Sequence, residues 1–253
     1  MLGERKRYLI EGRLSRVAHI VGLASVTQLC QELAANNPQV ITLVVDALTT
    51  NETFWFRDER PFDALQNVVF PAIARNNRAK TLRILSSPCS TGQEPYSIAM
   101  LILESGLFAN CHIKIIAIDI STEALQQAKQ GVYSQMEINR GLPVKYLIKY
   151  FTQISEVWKI KAEVKRMVTF FKQPLHNNSL PAGPFDLIFC RNLLIYFDLE
   201  TKCQILSNIS RSLESNGFLI LGGAESTLNI SSLFQPIRIQ DTTFYAKNDQ
   251  SIS

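Results

Sequence analysis

The 253 residues carry 26 Lys+Arg against 22 Asp+Glu, a formal charge of +4. Hydrophobic residues make up 46%, and 14 Phe, 7 Tyr and 2 Trp supply enough apolar area to exclude a disordered chain. No apolar run approaches the ~18 residues of a membrane span, so membrane insertion is not expected. The early basic residues Arg5-Lys6-Arg7 are not followed by the ~7–15 apolar residues of a secretory signal. The five cysteines (Cys30, Cys89, Cys111, Cys190, Cys203) are widely spaced and form no CxxC pair, so neither a disulfide framework nor a metal site is expected. That pattern suits buried thiols in a reducing cytoplasm.

In chain order, the first fifty residues read as a small all-α domain. Ile10, Leu14, Val17 and Val21 follow the spacing of one buried helical stripe. A second helix runs from the cap Ser25 to Ala35, and a third from Gln39 to Leu48. An interdomain segment, 51–60, follows. From about Thr81 strands and helices alternate: Leu82–Ser86, a helix from Glu94 to Ser105, the β-branched run Ile113–Ile118, and a helix from Ser121 to Gly131. Asp186–Cys190 reads as another buried strand. A helix bearing Leu206, Ile209 and Leu213 comes next, closed by Asn216-Gly217, and strands at Phe218–Leu221 and Thr242–Ala246 complete the pattern. This alternation predicts an α/β domain over 61–253 with a mostly parallel sheet. Val157–Lys161 and Val164–Phe170 alternate with a period near two, which predicts an inserted antiparallel β-subdomain at about 145–172. That stretch holds seven Lys/Arg against two Glu, an excess of +5.

Ligands of an open α/β sheet bind beyond the carboxyl ends of its strands. Three such ends carry suitable residues: Cys89-Ser90-Thr91-Gly92-Gln93-Glu94-Pro95, Asp119, and Arg191-Asn192. Gly92 permits close backbone approach, and an acid at Asp119 accepts hydrogen bonds from both hydroxyls of a ribose. Pyrophosphate demands several glycines at a helix N-terminus, and no GxGxxG or GxxxxGK[ST] occurs here. Glu94 would repel phosphate and suits a cationic amino group. An adenosine with a methionine-like tail, S-adenosylmethionine, fits where NAD and ATP do not.

These residues belong to a longer pattern. Asn51-Glu52-Thr53-Phe54-Trp55-Phe56-Arg57-Asp58, Ser90-Thr91-Gly92-Gln93-Glu94-Pro95-Tyr96-Ser97, Ile118-Asp119-Ile120, and Gly183 to Asn192 through Ile195-Tyr196-Phe197 together resemble the CheR family. Its members are S-adenosylmethionine-dependent methyltransferases that esterify glutamates on bacterial chemoreceptors. The resemblance implies a class I, Rossmann-like methyltransferase domain with an inserted antiparallel subdomain, preceded by a helical domain. It also implies that Asn51, Thr53 and Arg57 close over the cofactor and that Glu94 takes the ammonium of its methionine moiety. Asp119 would take the ribose hydroxyls, and Leu175, Arg191 and Asn192 would line the adenine and methionine side. Tyr196 would sit near the transferable methyl; beyond the resemblance, Arg57 is expected to position the acceptor carboxylate and Tyr196 to fix its approach by hydrogen bonding. The chain departs from the family at Pro174, where relatives show Asn, at Trp55 in place of Phe, and in Gly222–Ser226, which lacks a histidine.

Glutamate is already ionised at neutral pH, with a reference pKa of about 4.3, so an in-line displacement needs no general base. Glutamate-rich receptor helices imply a basic docking face. Arg5, Arg13 and Arg16 fall within an arc of about 80° on the first helix, and the basic β-subdomain offers a second. With sixteen residues between Phe151 and Val168, the subdomain looks short for capturing a receptor's C-terminal pentapeptide, so no dependence on one is expected. A basic patch without aromatic interleaving gives no support for nucleic-acid binding. The competing reading is a non-catalytic scaffold that binds S-adenosylmethionine or S-adenosylhomocysteine and regulates a chemosensory complex.

Overall fold

The computed structural model describes residues 4–76, 81–174 and 180–248, with the side chains of 4–7 and 76 outside that description. Three helices come first: α1 (Glu4–Ile20), α2 (Val26–Ala34) and α3 (Pro38–Leu48). Ser25 caps α2 by accepting from Gln28 N, and Asn37 caps α3, whose Pro38 needs no N–H partner in the first turn. Val17, Ala18, Leu29, Val40 and Val44 form their shared core. A helical stretch that periodicity did not announce follows, α4 (Arg60–Ala64), a π turn at Leu65–Val69 and α5 (Phe70–Asn76).

The rest builds on one large sheet. In chain order come β1 (Thr81–Ser86), α6 (Gln93–Ser105), β2 (His112–Asp119), α7 (Thr122–Gln130), β3 (Val132–Ser134), α8 (Gln135–Asn139), α9 (Val144–Tyr150), β4 (Phe151–Ile154), β5 (Val157–Ile160), α10 (Ala162–Lys165) and β6 (Val168–Lys172). Next are β7 (Phe185–Cys190), a 3₁₀ turn at Leu194–Tyr196, α11 (Leu199–Ser212), β8 (Leu213–Leu221), β9 (Phe234–Ile239) and β10 (Thr242–Lys247). The seven-stranded sheet runs β6-β2-β1-β7-β8-β10-β9. Its first five strands are parallel, and β10 pairs antiparallel with β8 and β9. The order reverses between β1 and β7, which opens a crevice beyond the carboxyl ends of β1, β2 and β7. This is the Rossmann-like α/β architecture expected, with a separate three-stranded antiparallel sheet, β3-β5-β4, and the helices before it.

Two elements differ from the sequence reading. Val168–Lys172 is not part of the antiparallel sheet; it is the edge strand of the large one, paired parallel with β2 from Ile115↔Val168 to Asp119↔Lys172. An edge strand with one buried face alternates just as a small antiparallel strand does, so period two does not discriminate between them. The small sheet instead recruits Val132–Ser134, upstream of the expected insertion. The second difference concerns Asn216-Gly217, which does not cap α11. The helix stops at Ser212, Leu213 already pairs with Phe185, and the ladder resumes at Leu187↔Phe218. Gly217 sits in the intervening bulge, where a Cβ would lie 2.9 Å from Phe185 O and 3.0 Å from Asp186 O. Glycine is required there for close approach, not for a left-handed turn.

Candidate functional site

The three strand ends converge. After β1, Gly92 adopts the left-handed conformation (φ 94°) and starts α6, placing Glu94 in its first turn. Glu94 is 8% exposed; Ser86 Oγ donates to its Oε1 at 2.8 Å, and Arg191 Nη1 lies 3.0 Å from its Oε2. At the end of β2, Asp119 Oδ2 accepts from Ser90 N at 2.7 Å and Oδ1 from Ser121 N at 2.9 Å. Burial pushes the Asp119 carboxyl above its ordinary pKa, and these backbone N–H groups only partly offset the desolvation. Beyond β7, Arg191 is buried and Asn192 turns the chain at φ 58°.

The segment after α3 forms the roof. Asn51 Nδ2 donates to Ser121 Oγ at 3.3 Å, and Ser90 Oγ donates to Asn51 O at 2.9 Å. Arg57 Nη1 donates to Glu52 O at 2.9 Å, with its guanidinium 5.3 Å from the Phe54 ring centre. Three non-glycine residues, Phe56, Asp58 and Glu59, hold positive φ in this short stretch. Such backbone persists only where its surroundings over-determine it. Here Trp55 does so: it is fully buried and meets Tyr133 and Phe151 of the small sheet edge-on, at 4.9 and 5.3 Å. The bulkier aromatic therefore locks the roof onto β3 and β4.

Between floor and roof lies a cavity of about 520 Å³, within the range that suits a drug-sized ligand. Asn51, Thr53, Arg57, Glu94, Asp119, Arg191, Asn192 and Tyr196 all border it. Gly92 does not; a Cβ there would come within 3.0 Å of Ala128 Cβ and 3.1 Å of Tyr133 Oη, so its close approach is to the protein's own chain. Leu175 lies outside the described residues. Glu94 is not the lone acid that the spacing suggested. Arg191 bridges it to Asp58, and its Nη2 also donates to Arg57 O at 2.9 Å. A guanidinium buried at this depth must find acids, and its planar fork reaches several acceptors at once. Among the charged residues bordering the cavity, Glu52, Glu94 and Asp119 outnumber Arg57 and Arg191 by one, so it keeps a residual negative charge that favours a cation.

Sequence reasoning missed several participants. Asp58 lies in a charge run, Arg57-Asp58-Glu59-Arg60, that reads as solvated, yet it pairs with the buried Arg191. Val44, Val45 and Leu48 of α3 form an apolar wall of the cavity, where the sequence showed only a helix from Gln39 to Leu48. Glu225 lies in the Gly222–Ser226 turn noted only for its missing histidine; it accepts from Asn192 N, Gly222 N and Ile195 N.

The same residues are matched by known proteins. The profile of the family described as "CheR methyltransferase, SAM binding domain" matches residues 51–243. The chain belongs to the CheR methyltransferase family. It is 39% identical to a chemotaxis protein methyltransferase of Vibrio parahaemolyticus, over 97% of this chain and 90% of that one. A chemotaxis protein methyltransferase 1 of Pseudomonas aeruginosa is 36% identical, over 97% and 91%. The CheR domain binds S-adenosylmethionine, and the site fits that cofactor. Each Asp119 oxygen keeps a lone pair beyond its backbone bond, as a vicinal diol requires. The residual negative charge beside Glu94 matches an ammonium, and the α3 wall offers apolar surface. Among the described residues no group of His, Cys, Asp and Glu is placed to hold a metal ion, and no helix is long and apolar enough to cross a membrane.

Proposed function

We propose that this CheR methyltransferase transfers a methyl group from S-adenosylmethionine to glutamate side-chain carboxylates of chemoreceptors, giving methyl esters in chemotactic adaptation. The observation that carries the reading is the polarity of the cavity beyond the strand ends. Two buried acids, Glu94 and Asp119, form its floor, and a cation and a phenol, Arg57 and Tyr196, stand at its rim. Acids suit the cofactor's ammonium and ribose, and the arginine suits an anionic acceptor.

When bound, the cofactor supplies an electrophilic methyl on a positively charged sulfur. Arg57 holds the incoming carboxylate, and Tyr196, whose side chain is 65% exposed, orients it by a hydrogen bond from its hydroxyl. The acceptor is already an anion, so the residues around it align and desolvate it without removing a proton. Asn51, Thr53 and Arg57 shield the reacting centre, with Gly92 shaping the turn that presents Glu94. Leu175 is carried over from the family pattern as an adenine contact.

Docking is assigned to the basic face of α1. Arg16 is exposed there, Arg13 donates from Nη1 to Ala47 O of α3 at 3.2 Å, and Arg5's side chain lies outside the described residues. The stretch around the small sheet contributes basic residues as well, though several are engaged: Lys149 of α9 with Glu104, Lys161 before α10 with Lys149 O, and Lys165 of α10 with Gln130 O. The strands of that sheet span only three or four residues, which supports docking without a receptor pentapeptide. The reaction places the protein with receptor cytoplasmic helices, hence in the cytoplasm.

Incubation with methyl-labelled cofactor and a receptor cytoplasmic fragment should deposit base-labile label on glutamate, with at least a tenfold loss in Arg57→Ala at saturating cofactor. Binding of S-adenosylhomocysteine without ester formation would instead establish the scaffold reading.

A further inference from the structure

We propose that Glu225 is a positioning residue for methyl transfer, acting through the segment that carries Asn192 and Tyr196. Glu225 does not border the cofactor cavity. Its carboxylate lies behind it, where Oε2 accepts from Asn192 N at 2.7 Å and from Gly222 N at 2.8 Å, and Oε1 accepts from Ile195 N at 3.3 Å. One side chain thereby ties the turn after β8 to the turn after β7. All three donors are backbone N–H groups; the bonds from Asn192 and Gly222 are short and the one from Ile195 is longer.

The segment needs this support. Asn192 sits in the left-handed region at φ 58°, a strained conformation for a non-glycine residue that persists only where its surroundings hold it. Tyr196 is 65% exposed, so packing does not orient its ring; its position follows from the backbone it stands on. Leu194 anchors that backbone by burying its side chain, but it fixes a single point. Glu225 holds the residues on either side of it. The local sequence is shaped for the contact: a Cβ on Gly222 would come 2.8 Å from Glu225 Oε2 and 2.8 Å from Asn192 Nδ2. The glycine leaves the space through which the carboxylate reaches both turns. Two carboxylate oxygens receive three N–H groups, and glutamine would turn one of those oxygens into a donor facing a donor. Amide replacement therefore retains part of the arrangement, and alanine none.

The kinetic arm of the test rests on the proposed methyl transfer; a second arm does not. Glu225→Ala should lower kcat at least tenfold, with a distinctly smaller loss of affinity for S-adenosylhomocysteine measured by calorimetry. Glu225→Gln should fall between alanine and the native enzyme. Hydrogen–deuterium exchange of the 192–197 amides should accelerate at least tenfold in the alanine variant, with β7 protection unchanged. If Glu225→Ala does not fold, Glu225→Gln carries both arms with smaller but measurable changes. A kcat within twofold of native, unchanged exchange in 192–197, or a kcat loss matched by equal losses of cofactor affinity and β7 protection would overturn the proposal. Absence of transfer by the native enzyme would count against the proposed reaction alone, because the exchange arm still judges Glu225.

Discussion

Asp119 concentrates the conflict between folding and function at a single side chain. It is 4% exposed, and desolvation raises its pKa despite the N–H groups of Ser121 and Ser90. A carboxyl whose folded pKa is raised contributes stability that is present below its unfolded value of about 3.9 and is lost as pH rises through the folded one. On the proposed ribose contact, the ionised form that the hydroxyls call for is thus the form that folding disfavours. We predict that affinity for S-adenosylhomocysteine weakens on acidification from a higher pH than an ordinary aspartate would show, and that Asp119→Asn removes this step. Calorimetry across pH checks it; a flat native profile down to the ordinary aspartate range would contradict the assignment. Asp119 and Glu94 were legible because acids beyond successive strand ends of an α/β sheet fall where its ligands bind, although Asp119 alone could equally have been a helix cap. The Arg191 bridge to Glu94 and Asp58 was not, because 97 and 133 residues separate the partners and no local pattern joins them.

Among the elements, the roof depends on a turn elsewhere in the chain. Gly141, between α8 and α9, has φ 88°, and a Cβ there would overlap Trp55 O; Arg140 O accepts from Trp55 N at 3.1 Å. Arg140 also pairs with Glu52 at 3.2 Å and lies over the Phe54 ring. The turn is the template on which the segment before Arg57 is laid. Gly141→Ala should destabilise the protein by about 1–3 kcal/mol, the usual cost of such backbone strain, and lower turnover more than cofactor affinity. Thermal melts with the methylation assay test this, and native-like values of both would refute the template role. The caps at Ser25 and Ser121 and the buried runs in β1, β2 and β7 were readable because they are local. The helices at 135–139 and 144–150 were not, since short helices carry too few turns to show a period.

Across the whole molecule, the helical unit is wired into the cofactor site. Asp46 Oδ1 of α3 accepts from Thr122 N, the first residue of α7, at 2.7 Å, and Ser121 beside it bonds Asn51, Ala124 and Asp119. An acid at a helix N-terminus stabilises it electrostatically, typically by about 0.3–1 kcal/mol. Because α3 also walls the cavity, Asp46→Ala should lower Tm and weaken S-adenosylhomocysteine binding at least threefold, with Asp46→Asn recovering most of the Tm. Unchanged binding affinity would show that the two units share a boundary without coupling. From sequence alone, the alternation of strands with helices, the leading helices and the identities at the strand ends were determined, because each is written in neighbouring residues. Only the tertiary structure decided which sheet Val168–Lys172 joins, that Glu94 is already paired, and that α3, Arg140–Gly141 and Glu225 complete the site. Those depend on contacts between residues distant along the chain, where periodicity and local propensity carry no signal.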